Sequence, residues 1–212
     1  MDDAFEKLLS GYRTFRENSS FRKEFFRDLH LGQNPQTLVI SCCDSRVVPN
    51  IIMQAEPGEM FITRNIAGLV PPYDTSHTSY HATSAAIEYA VLHLKVKHII
   101  IMGHKGCGGI AALTERQNKE HSHTDFIDKW MEIAKPALAA AESSCKNLTP
   151  KQKAELCEKE ALKISIRNLL TFPCVAQAVS EKAVKIHAMM FDIKEFSLSL
   201  YDPEKDSFEL IK

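Results

Sequence analysis

Two short runs, TLVISC at 37–42 and HIIIMG at 98–103, are apolar almost without interruption, and each stops at a cysteine or histidine. Both read as buried strands. A short helix at 48–55 and a strand, EMFITRN (59–65), follow the first run. The helical stretch SAAIEYAVLHL (84–94) precedes the second. Strands alternating with helices in this way predict an α/β fold: a mostly parallel β-sheet with helical crossovers. Further helices are expected over 109–117, over 123–145 with an interruption at Pro136, and over 150–170. A fourth strand in VKIHAMMF and a C-terminal β-hairpin turning at Asp202-Pro203 complete the sheet. Ahead of the first strand, 3–16 and 20–31 read as amphipathic helices with Phe15, Phe21, Phe25 and Phe26 on the apolar face. GQNP (32–35) ends them. No linker or repeat divides the chain, so a single domain over 1–212 is expected, with 1–31 as an N-terminal helical arm.

A chain of 212 residues can fill one such domain. Its net charge of −1, without a Lys/Arg block, argues against a nucleic-acid partner. Membrane insertion is not expected either, because the apolar runs fall far short of the ~20 residues a spanning helix needs. The start, MDDAFEKLLSGYRTF, does not read as a secretory signal. Six cysteines then suggest free, metal-bound or reactive thiols in a reducing, cytoplasmic setting.

The first strand runs into CCDSR (42–46) and the third into GHKGCGG (103–109). Ligands of parallel sheets bind outside the carboxyl ends of strands, so the two stretches can meet. His104 and Cys107, with Cys42 as a third ligand, suit Zn²⁺, and three protein ligands leave a position for water. Cys43 points away in an extended backbone and is expected to pack. Cys145, Cys157 and Cys174 lack histidine partners and read as structural, and His121 and His123 as a solvated loop pair. His30, His77, His81, His93, His98 and His187 show no partner pattern. On an extended segment Cys42, Asp44 and Arg46 share a face. Asp44 then has two options: to take the fourth metal position, or to pair with Arg46 and orient a metal-bound water.

C-x-D-S-R at 42–46 followed by H-x-x-C at 104–107 resembles the β-class carbonic anhydrases. The flanks EPGEMFITRNIAGLVPPYD (56–74), AAIEYAVLHLKVKHIIIMGH (85–104) and EKEALKISIRNLLTFP (158–173) are similar to that family as well. The resemblance implies an enzyme that hydrates carbon dioxide reversibly to bicarbonate and a proton by a zinc-bound hydroxide. It implies Cys42, His104 and Cys107 as zinc ligands and Asp44 and Arg46 as the catalytic dyad. Gln33 would donate to bicarbonate, Phe61, Ile66 and Tyr89 would line the substrate pocket, and Gly108 would supply the backbone beside the metal. Val39 and Ser41 stand where a regulated branch of the family has Trp and Gly, which implies the open, water-bearing form. A homodimer or dimer of dimers with shared sites is implied too. Two other readings stay open: hydrolysis of another heterocumulene on the same scaffold, and a non-catalytic zinc or redox protein.

Overall fold

A computed structural model describes residues 3–17, 26, 29–76, 80–115, 124–144 and 148–212. The chain divides into two compact units, Met1–Asn34 and Pro35–Lys212. In the first, α1 (Asp3–Glu17) opens with Asp3 and Glu6 and closes with Arg16, matching its dipole. An Arg13–Glu6 ion pair of 2.7 Å spans two turns. Phe5, Leu8, Tyr12 and Phe15 form an exposed apolar stripe, and Phe15 meets Phe26 edge-on at 6.1 Å. Of the second expected helix only Phe26 and a 3₁₀ turn, Leu29–Leu31, are described. Phe21 and Phe25 lie outside the described residues.

The second unit holds a six-stranded sheet in the order β2-β1-β3-β4-β5-β6. The strands are β1 (Thr37–Cys42), β2 (Met60–Asn65), β3 (His98–His104), β4 (Lys185–Asp192), β5 (Ser197–Asp202) and β6 (Ser207–Leu210). The first four run parallel, and β5 and β6 add antiparallel hairpins. From β1 the chain moves to one side for β2 and returns across β1 for β3. The cleft between the carboxyl ends of β1 and β3 is therefore the topological switch point, where such sheets bind ligands.

Helices α2 (Pro49–Ile52), α3 (Ala82–Glu88), α4 (Gly108–Glu115), α5 (Ile127–Met131), α6 (Lys135–Ser144), α7 (Pro150–Leu169) and α8 (Pro173–Ser180) complete the unit. Leu38 and Ile40 of β1, Ile99 and Ile101 of β3 and Ala188 and Met190 of β4 pack with Leu162, Leu169 and Val175 of α7 and α8. α7 starts sharply. Thr149 accepts from the Gln152 amide and Gln152 returns a bond in a capping box, with Pro150 at the first position.

Three expectations are corrected. The break in the 123–145 segment is the 3₁₀ turn Glu132–Ala134, and Pro136 sits in the first turn of α6, where a missing amide costs nothing. α8, unforeseen, begins at Pro173 by the same rule. His98 and His187 do have partners, since the parallel register of β3 and β4 sets Nδ1 of one 3.1 Å from Nε2 of the other. Among the described residues no helix is long and apolar enough to cross a membrane.

Candidate active site

The β1–β3 ladder ends with Ser41 opposite Met102, and each strand continues to deliver Cys42 and His104 past it. Cys107 follows on a tight turn in which Gly106 has φ +70°, a conformation that suits glycine. Cys107 directly precedes α4, and its carbonyl accepts from the Ala111 amide at 2.9 Å. The donor atoms of Cys42, His104 and Cys107 all lie within 4.8 Å of one another, and all three residues are buried.

His104 Nδ1 lies 3.1 Å from the Lys105 carbonyl. A carbonyl only accepts, so Nδ1 carries the proton and Nε2 keeps its lone pair. That Nε2 is buried without a partner. The neighbouring Cys107 thiol, against burial, holds the Cys42 thiol far below its ordinary range, helped by the Asp44 amide, which donates to the Cys42 sulfur at 3.4 Å. Cys107 is raised for the converse reason, reinforced by burial. An unpartnered imidazole nitrogen facing two buried thiols, one of them held far below its ordinary range, fits a divalent, thiophilic cation such as zinc.

Asp44 is not on an extended face with Cys42, as the sequence suggested. The strand stops at Cys42, and the Val47 amide bonds the Asp44 carbonyl at 2.9 Å in a turn. This turn folds the carboxylate onto its neighbours. Oδ1 accepts from the Arg46 amide at 3.0 Å and Nε at 2.9 Å, and Oδ2 accepts from Nη2 at 2.7 Å. The guanidinium bonds hold the Asp44 carboxyl well below the usual carboxylate range against some burial, so it stays ionised. Oδ2 remains 3.8 Å from His104 Nε2 and borders the cluster.

Arg64 and Asn65, which sequence reasoning passed over as ordinary strand residues, stitch this edge together. Arg64 donates from Nε to the Cys42 carbonyl and from Nη2 to those of Asp44 and Val47, at 2.7–2.9 Å. The Asn65 amide closes the next loop on the Leu69 backbone from both its oxygen and its nitrogen. Inside that loop Gly68 has φ +62°, and a Cβ there would meet the Cys42 nitrogen at 3.1 Å. Trp130 pins the loop from outside by donating to the Ile66 carbonyl at 2.8 Å.

The remaining expected residues separate. Ile66 and Gly108 flank the cluster, with Ile66 Cγ2 3.0 Å from where a Gly109 Cβ would stand. Phe61 and Tyr89 pair with each other, ring centres 5.7 Å apart. Phe61 lies four residues before Asn65, the partner of Cys42 in register, about 13 Å back along the strand. Tyr89 opens a π-helical turn, Tyr89–His93, and is 45% exposed. Gln33 belongs to the first unit and is exposed. Cys43 is exposed, not packed, its amide bonding the Asn65 carbonyl. Cys157 is buried in α7, its thiol pushed up to about 12 by that burial, and Cys174 is half-buried. His77, His121, His123 and Cys145 lie outside the described residues.

A family model described as carbonic anhydrase matches residues 37–198. Beta carbonic anhydrase 3 of Arabidopsis thaliana is 36% identical over 202 residues, which cover 94% of this chain and 78% of that protein. The solved β-carbonic anhydrase CcaA superposes with a TM-score of 0.90 at 27% identity, covering 99% of this chain and all of that one. A structure described with two tetrameric β-carbonic anhydrases of Sordaria macrospora has a TM-score of 0.81 at 31% identity, covering 94% and 97% of the two chains. The match spans both strand ends that carry the thiol–imidazole cluster, and the chain belongs to the β-class carbonic anhydrases, with the carbonate dehydratase activity of that family.

Proposed function

We propose that Cys42, His104 and Cys107 would hold one zinc ion, and that carbon dioxide is hydrated beside it with Arg46 holding the Asp44 carboxylate off the metal. The observation that carries this reading is the commitment of both Asp44 oxygens to Arg46, which turns the carboxylate from metal ligand into hydrogen-bond acceptor. Bound zinc supplies Lewis acidity that lowers the pKa of a coordinated water from ~16 toward roughly 7. Asp44 Oδ2 accepts a hydrogen bond from the attacking water and so aims a lone pair at the carbon of the substrate. Arg46 keeps that oxygen ionised and in place. Ile66 walls the near side of the site with apolar surface, and Gly108 admits substrate without a side chain.

Phe61 and Tyr89 are displaced from this chain's own cluster along β2, and we infer that they, with Gln33, complete the site of a second copy. The exposed apolar stripe of α1 supports a homodimer, or a dimer of dimers, because burying each such side chain stabilises by ~1.5–3 kcal/mol. We place the protein in the cytoplasm, where a reducing environment keeps both ligand thiols available.

Metal analysis tests the reading. The purified chain is expected to carry one zinc per polypeptide. A fully folded chain that takes up none from a zinc-containing buffer would remove the centre.

A further inference from the structure

We propose that Glu158 is the positioning residue that sets the direction of the Cys107 thiol. Glu158 lies in α7 among Cys157, Ala161 and Leu162, at a position whose neighbours are core residues. It is 5% exposed. Burying a carboxylate is costly and persists where hydrogen bonds and charge offset it. Here Oε1 accepts from the Cys107 amide at 2.9 Å. That amide closes the left-handed turn at Gly106 that carries the chain from His104 to α4. Fixing it fixes the Cα–Cβ vector of Cys107.

The second oxygen, Oε2, is buried without a partner. It borders a cavity with room for about one water, lined by His104, Gly103, Gly68 and Ser165. A side chain serving only to fill space in α7 would be apolar, whereas this one spends a buried acid on the backbone of a metal-ligand turn. Partners that orient ligands change metal affinity by roughly 10–100-fold when removed.

The inference rests on the metal reading above, and two substitutions separate reach from charge. Glu158→Asp keeps the charge but is one methylene too short to reach the Cys107 amide. Glu158→Gln keeps the reach and the accepting oxygen but not the charge. Zinc affinity would be read by competition with a chromophoric chelator, and sulfur-to-metal geometry from the thiolate absorption of the cobalt-substituted protein. Urea midpoints report folding. Glu158→Asp is expected to lose about 10-fold or more in affinity and to shift the thiolate bands, with Glu158→Gln within about threefold of the parent. A Glu158→Asp protein that binds zinc like the parent, or a Glu158→Gln protein that loses as much, overturns the proposal. A parent that binds neither metal refutes the metal reading instead.

Discussion

Cys42→Ser, His104→Ala and Cys107→Ser, made singly, are each expected to abolish carbon dioxide hydration together with bound zinc. Three protein ligands leave none to spare, and a serine hydroxyl, far less acidic than a thiol, does not replace a thiolate ligand. Metal catalysis contributes several kcal/mol at the reacting water, so the loss should reach roughly three orders of magnitude or more. Elemental analysis and a hydration assay on the same samples check both halves. Cys43→Ser is the control. Its side chain is exposed and lies outside the cluster, so zinc and rate should both stay at the parental level. Full zinc in any of the three ligand variants would break the assignment.

The dyad variants come next in size, and they should fail in different ways. Asp44→Asn loses the charge that accepts from the attacking water, and should keep its zinc while slowing hydration by roughly 10²–10⁴-fold. Arg46→Ala removes all the side-chain bonds that hold Asp44, both at Oδ1 and at Oδ2. With Oδ2 already 3.8 Å from His104 Nε2, the freed carboxylate has a short path onto the metal, where it would displace water. Its pKa, held down first by the guanidinium hydrogen bonds, would rise toward the ordinary value unless the metal captures it. The absorption spectrum of cobalt-substituted Arg46→Ala should therefore differ from the parent, and that of Asp44→Asn should stay close to it. An unchanged spectrum in Arg46→Ala would count against the swing.

The thiol–imidazole cluster was legible because the two apolar runs are read as parallel strands whose carboxyl ends meet, and each ends at a thiol or an imidazole. The parallel sheet was legible for a similar reason, since strand and helix periods alternate clearly through the first half. What the sequence hid depends on tertiary packing. Glu158 sits in a run of charged residues, CEKE, and reads as solvent-facing until α7 is laid against β3 and the Cys107 turn. Arg64 looks like an exposed strand residue, but its partners are three carbonyls on another segment. The sequence left Asp44 two options and placed it on an extended face; the structure pairs it with Arg46 in a turn, which extended alternation cannot reveal. Phe61 and Tyr89 share a family motif with the ligands yet sit elsewhere on the same chain, and linear order carries no sign of that separation.

This cluster, loaded with zinc, is expected to hydrate carbon dioxide. The decisive measurement is stopped-flow hydration with a pH indicator on the purified chain as isolated, after removal of metal by a chelator, and after zinc is restored. Rapid acidification by the isolated protein, a fall to the buffer rate on chelation, and recovery with one equivalent of zinc are the expected results. A folded chain carrying one zinc at Cys42, His104 and Cys107 that leaves the buffer rate unchanged would show that the cluster does not catalyse the reaction.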